Sequence, residues 1–181
     1  MFSSSDELLE FIAIHNTEET RDCEFKRGES WSTLQYKIVK SILAMSNIQN
    51  GGYIIIGVEW NNTKKSFEPI GISEQDANTY DSDAVLQFTN NFAEPYVRIN
   101  LKHFDDNGKK FVVIQVQEFD EFPVICKRDH SGILEAGRTY IRTRRKPESS
   151  SKFTVAEMKE MTELAIDKGL RRLLTRLQVL V

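Results

Sequence analysis

Three carboxylates carry the chemistry most readily read from this chain: Glu19, Glu24 five residues on, and Glu59 at the exit of an apolar run. Brought together, they would offer oxygen ligands to Mg²⁺ or Mn²⁺. A cation held over a phosphodiester can generate hydroxide and stabilise the leaving oxygen, which is the work of a nuclease. The chain holds 27 acidic residues, enough for many accidental triples, so spacing alone favours plain surface charge. Lys26 and Arg27, next to Glu24, suit either a phosphate or a structural ion pair with the carboxylates.

A second group is basic: Arg138, Arg142, Arg144, Arg145 and Lys146. In an extended segment Tyr140, Arg142 and Arg144 fall on one face, because alternate residues of a strand point the same way. Guanidinium groups grip phosphate by paired hydrogen bonds, and both Arg and Tyr stack on bases, so such a face suits RNA or single strands. An edge strand kept from aggregating by its charges has the same pattern. The net charge of −3 repels a polyanion overall, so a nucleic-acid partner, RNA before DNA, must be held by such a local patch.

Other chemistries are weakly supported. Cys23 and Cys126 stand far apart with no Cys-x-x-Cys pair, and His15, His103 and His130 lack zinc-ligand spacing, so no zinc is expected and both cysteines read as core residues. Gly52 and Gly57 have the separation of a phosphate loop, but Val58 and Glu59 stand where Lys and Ser or Thr belong, so no nucleotide cofactor is expected. The longest apolar runs are six or seven residues and the first six residues lack a signal peptide's pattern, which points to the cytoplasm and away from membranes.

The elements that would position these groups follow from the hydrophobic pattern. Asp6–Ile12 reads as a short helix, Cys23–Arg27 as a strand showing Glu24 and Lys26 to solvent, and Ser32-Thr33-Leu34-Gln35 as a capping box opening a helix with Leu34, Ile38, Ile42 and Met45 inward. That helix ends before Gly51 and Gly52, which can take positive φ, and Tyr53–Val58 then reads as a strand buried on both faces. Ile70-Gly71-Ile72 suggests a further hairpin arm, and residues 81–91 a second helix ended by Pro95. Residues 97–103 and 111–116 pair as a hairpin through Asp105-Asp106-Asn107-Gly108.

Val124–Lys127 and Thr139–Thr143 read as two more strands, and Ser149-Ser150-Ser151 as a break. A second capping box, Thr154 to Glu157, opens a helix that runs to Lys168 and is interrupted by Gly169. The arginines at 171, 172 and 176 alternate with leucines in a tail whose ending, Leu-Gln-Val-Leu-Val, suits a homodimer contact. With 40% hydrophobic residues the chain can bury a full core. The expected organisation is an α/β domain with a mixed sheet, an N-terminal helix and lead-in over 1–18, a central domain over 19–148 and a helical tail over 149–181.

The ordered set Glu19-Thr20-Arg21-Asp22-Cys23-Glu24-Phe25-Lys26, Gly51-Gly52-Tyr53-Ile54-Ile55-Ile56-Gly57-Val58, Ile70-Gly71, Pro95, Val112–Val116 and Tyr140-Ile141-Arg142 resembles the Schlafen-type AlbA-like domain family. The resemblance implies a mixed α/β fold and nucleic-acid binding by Lys26, Arg27, Tyr140, Arg142, Arg144, Arg145 and Lys146. In the Schlafen branch it further implies a Mg²⁺- or Mn²⁺-dependent endoribonuclease acting on structured RNA such as tRNA, with Glu19, Glu24 and Glu59 as its metal-holding, catalytic carboxylates. A protein-interaction or dimerisation module is the third expectation.

Overall fold

The computed structural model of the protein describes residues 1–178. In chain order its elements are α1 (Ser5–Ile14), β1 (Cys23–Lys26), α2 (Trp31–Ser46), β2 (Gly52–Ile56), β3 (Val58–Asn61), β4 (Ser66–Pro69), α3 (Glu74–Ala77), α4 (Ser82–Asn90), β5 (Ala93–Glu94), β6 (Ile99–Asp106), β7 (Lys109–Val116), β8 (Ile125–Cys126), β9 (Ile141–Arg142), β10 (Ser149–Ser150) and α5 (Val155–Gln178).

The main sheet runs β1-β2-β7-β6. β2 pairs in parallel with β1, Cys23 opposite Tyr53, and antiparallel with β7, Gly52 opposite Val116. Its central place explains its unbroken apolar run. Ile54 and Ile56 enter the larger core with Leu34, Ile38, Ile42 and Met45 of α2 and Val85 of α4. Ile55, on the other face, joins Leu8 and Ile12 of α1 with Phe25, Phe111 and Val113. Each such side chain, wholly removed from water, contributes roughly 1.5–3 kcal/mol, so the sheet is clamped from both sides and the helix and strand that flank the site are held rigidly.

The two glycines before β2 serve different purposes. Gly51 has φ +68°, and a Cβ there would stand 2.0 Å from the Val116 carbonyl oxygen. Gly52 lies outside that region; its need is room, since a Cβ would meet the Asp22 carbonyl oxygen at 2.5 Å. This close approach lets the Tyr53 N–H donate to that same oxygen at 2.7 Å and tie β2 to the segment leading into β1. The β6–β7 hairpin turns on Asn107 and Gly108, both with positive φ, the geometry that matches strand twist in a two-residue turn.

Several boundaries differ from the sequence expectation. α2 begins at Trp31, one residue before the Ser32 box, with Ser30 as N-cap and its hydroxyl bonded to those of Ser32 and Thr33. The hairpin arm opposite β3 is Ser66–Pro69 and not Ile70–Ile72; Ile72 instead bridges to Lys110. The Thr139–Thr143 strand shrinks to two residues, paired with Ser149 and Ser150, the serines read as a break. The capping box at α5 forms as expected: the Thr154 hydroxyl accepts the Glu157 N–H at 3.2 Å and the Glu157 carboxylate accepts the Thr154 N–H at 2.7 Å. Gly169 does not interrupt that helix, which runs through it from Val155 to Gln178. Residues 179–181 of the expected dimer contact lie outside the described residues.

Candidate nucleic-acid interface

The charged face of β1 points inward. Glu24 is 6% exposed and lies beneath β9, where it bonds the Lys26 ammonium and accepts from Arg142 Nη1 at 2.9 Å. The Arg142 guanidinium then uses its remaining donors on backbone: Nη2 to the Thr20 carbonyl at 3.1 Å and the Cys23 carbonyl at 3.2 Å, Nε to the Arg21 carbonyl at 3.3 Å. A buried guanidinium is tolerable only when its charge is met and its donors are largely used, and here Glu24 meets the charge while four of the five donors have partners. Arg142 thus ties β9 to the segment carrying Glu19 and Glu24.

This arrangement corrects the expectation of an exposed Tyr140–Arg142–Arg144 face. Tyr140 is buried, with its hydroxyl accepting the Glu135 N–H at 2.8 Å and the Lys40 ammonium 5.2 Å from its ring centre. Arg144 alone of the three is exposed, and its Nε lies 2.7 Å from a Glu160 carboxylate oxygen of α5. Lys40 of α2 lies over Tyr140, and the Thr20–Cys23 segment covers Arg142.

Glu19 sits beside this pair. Its Oε1 accepts the Phe25 N–H at 2.8 Å and its Oε2 lies 3.7 Å from Arg142 Nη2. Burial, and then the neighbouring Glu24 charge, push the Glu19 carboxyl above the usual range. Burial acts on Glu24 in the same direction, but the Lys26 ammonium and the Arg142 guanidinium outweigh it and hold its carboxyl below that range. Two carboxyl groups in one cleft are therefore driven apart in protonation.

Glu59 is not with them. It stands exposed on β3 opposite Glu68 and lines a neighbouring cleft with Arg27, Glu29, Trp60 and Phe67. Arg27 there is paired with Glu29. Among the described residues no three His, Cys, Asp or Glu side chains converge to hold a metal ion. The residues present therefore do not fit the expected three-carboxylate site for Mg²⁺ or Mn²⁺. Glu24 already has two cationic partners, and the third carboxylate faces another cleft.

What lines the Glu19–Glu24 cleft is cationic. Its volume is about 330 Å³, and Lys26, Lys37, Lys40 and Ser41 stand round it together with Arg142, Gly132, Ile133 and Glu148. Among the described residues neither Lys37 nor Lys40 has a carboxylate within ion-pair distance. Sequence reasoning missed both; the signal was two lysines three apart on the polar side of an otherwise apolar helix, adjacent to Ser41. Tyr36, one residue before Lys37, stacks on His130 with ring centres 3.3 Å apart and planes 8° apart.

A second, larger cleft of about 780 Å³ adjoins at Glu148 and is lined by Arg145, Lys146, Lys152, Phe153 and Thr154. Arg145 and Lys146, both anticipated, are exposed there, with Lys146 3.2 Å from Glu148. Lys152 was not anticipated. The two clefts share Glu148 as a lining residue, and the basic strip comprises Lys26, Lys37 and Lys40 of the first with Arg145, Lys146 and Lys152 of the second.

Fold and site together define a mixed-sheet α/β domain with a basic strip laid over a saturated carboxylate–guanidinium interior. The chain belongs to the family described as Schlafen, AlbA_2, whose pattern matches residues 19–150. No curated protein matches the chain. Among solved structures, it is similar to the solution NMR structure of the N-terminal domain of a protein related to the ATP-dependent DNA helicase RecG, from Nitrosomonas europaea. The TM-score is 0.51 at 22% identity, over 72% of this chain and 84% of that one. A crystal structure of the DIP2311 protein from Corynebacterium diphtheriae aligns with TM-score 0.48 at 17% identity, over 78% of this chain but 25% of that protein. No helix among the described residues is long and apolar enough to cross a membrane.

Proposed function

We propose that this chain is a nucleic-acid-binding domain whose basic strip holds the phosphate backbone, with RNA preferred over DNA and a cytoplasmic address. The observation that carries this reading is the pair Lys37 and Lys40, two ammonium groups without carboxylate partners facing one cleft from consecutive turns of α2. Lysine is a point-charge phosphate binder, and neutralising phosphates releases counterions, which gives affinity without sequence preference. The preference for RNA rests on the resemblance to the Schlafen branch and not on a base-stacking surface in either cleft. Net charge of −3 confines binding to this strip.

The test is fluorescence anisotropy with a labelled single-stranded RNA and its DNA equivalent, on wild type and a Lys37→Glu/Lys40→Glu variant, across a salt series. Affinity should fall steeply with salt in wild type. The variant should lose at least about tenfold and show a log–log salt slope shallower by roughly 1.4, two phosphate contacts at ~0.7 each. Equal affinity of variant and wild type would overturn the strip. Tighter binding of DNA, which the helicase relation of the Nitrosomonas europaea neighbour keeps in the test, would overturn the RNA preference.

A second reading, a ribonuclease, is favoured by one observation: Glu19 is pushed toward its protonated form beside an ionised Glu24, the separation that acid–base chemistry uses. In that reading cleavage of a labelled tRNA, with or without added Mg²⁺ or Mn²⁺, is lost in Glu19→Gln while binding remains. Intact RNA after incubation of wild type with either metal removes it.

A further inference from the structure

The neighbouring cleft that Glu59 lines has a volume of about 290 Å³, and Lys26 and Lys37 line both it and the Glu19–Glu24 cleft. Much of its lining is apolar, from Phe25, Leu34, Val58, Trp60 and Phe67. Trp60 is 37% exposed, and its indole is braced from the chain side. It meets the ring of Phe67, its direct partner across the β3–β4 hairpin, edge-on with centres 5.0 Å apart, and Phe67 packs on buried Phe25 at 4.8 Å. A single exposed aromatic needs no explanation by itself. This one is held in place at a cleft that shares two lysines with a site read as binding phosphate.

Charge says what the cleft can take. Arg27 there is paired with Glu29, Lys26 is bonded to Glu24, and Glu59 has no cationic partner among the described residues. A phosphate seated beside Glu59 would be repelled by it, whereas a neutral flat ring would meet the apolar lining without that cost. Lys37 is the unpaired cation at the boundary: it lines both clefts, while Lys40, one turn on, lines only the first. The order across the surface is therefore two phosphate-binding ammonium groups and then an aromatic ring.

That order matches a single strand, in which each phosphate carries a base that is free to turn aside. In a duplex the bases are held in the stack, and reaching one costs unstacking and unpairing. We infer that Trp60 is a stacking platform for one unpaired base of a single-stranded nucleic acid whose adjoining phosphate sits on Lys37. This inference rests on the nucleic-acid reading and adds to it the strand state of the ligand. Every base has a π-face, so the platform selects single strands over duplexes and takes RNA and DNA alike.

The test is fluorescence anisotropy of the full chain with a labelled single-stranded RNA, the single-stranded DNA of the same sequence, and the duplex of each. Wild type should bind either single strand at least about fivefold more tightly than its duplex, the lower end of what one stacked base contributes. Trp60→Ala should lose that margin on both single strands and nothing on the duplexes, with the log–log salt slope unchanged, because stacking releases no counterion. Trp60→Leu, which keeps an apolar side chain beside Phe67 but has no π-face, should show the same loss, and Trp60→Phe should recover most of the affinity. The chain has two tryptophans, so in a Trp31→Phe background the emission of Trp60 alone should be quenched by the single strands and far less by the duplexes.

Wild-type affinity for single strands in both Trp60→Ala and Trp60→Leu would overturn the platform, as would equal binding of single strands and duplexes by wild type. In either case the salt dependence carried by Lys37 and Lys40 would still stand, so the nucleic-acid reading would survive. A salt slope that falls together with affinity in Trp60→Leu would also overturn it, by showing that the residue only supports the phosphate contacts. Failure of wild type to bind any of the four probes would overturn the nucleic-acid reading and the platform together.

Discussion

The interior beneath β9 and the outward side of α5 are opposites in how they treat unfavourable groups. Beneath β9, Glu24 and Arg142 are buried charges with every partner supplied by the chain itself: the Lys26 ammonium, the Thr20, Arg21 and Cys23 carbonyls, and each other. On α5, leucines are more than half exposed, with no covering partner among the described residues. A group satisfied from within is a structural anchor, even where its residue type suggests chemistry. A group left unsatisfied points to something outside. By that measure Arg142 holds the fold, while Lys37, Lys40 and the exposed side of α5 are available to other molecules.

The largest effect expected is on the anchor. Arg142→Met should cost about 3–5 kcal/mol, since it strands Glu24 in the interior, and should lower the thermal midpoint by roughly 6–20 °C in a chain of this size. Loss of RNA binding without loss of stability in that variant would break the comparison, by showing Arg142 to be a ligand contact. Acid should have the same target. The folded Glu24 pKa lies below its ordinary value, so its stabilisation is present above the ordinary carboxylate pKa and is lost as pH falls through the folded value.

Next in size, Lys37→Glu/Lys40→Glu should weaken RNA binding by at least tenfold, about 1.4 kcal/mol, with the thermal midpoint unchanged. A lowered midpoint would place these lysines with the anchor. Smaller again, Thr154→Ala removes the cap of α5 and should cost about 1 kcal/mol, read locally as faster hydrogen exchange in its first turn with the Glu24–Arg142 region unaffected.

The smallest effect belongs to Glu19→Gln. Glu19 has a raised folded pKa, so its contribution is fully present below the ordinary carboxylate value and is lost as pH rises through the folded one. The variant should therefore melt slightly higher than wild type near neutrality, with the difference vanishing toward pH 4. A variant that melts lower at every pH would show that Glu19 is ionised and acts as a partner of Arg142.

Much of the scaffold was legible because periodicity reports burial directly. The β2 run, the inward stripe of α2, the β6–β7 hairpin and the Thr154 capping box all stand close to where the pattern places them. Within the site, Arg145 and Lys146 were legible as exposed basic residues, and Glu19 with Glu24 as neighbours. Tyr140 and Arg142 were misjudged because alternation tells which residues share a face and nothing of what lies over it. Lys37 and Lys40 escaped because a lysine on a helix's polar side usually reports only solvent. Asn47, buried and bonded to the Val124 and Tyr140 carbonyls and the Val124 N–H, had no local signal at all.

The sequence by itself determined the family, the alternation of elements and the two-sided burial of the central strand, because local propensity and hydrophobic period act over a few residues and survive any tertiary context. Only the tertiary structure decided that Glu24 and Arg142, 118 residues apart, satisfy one another, that Glu59 faces a different cleft, and that the lysines of α2 stand over the pair. Those outcomes depend on which surfaces meet across the sheet, and electrostatic roles follow from what surrounds a charge more than from the residue that carries it.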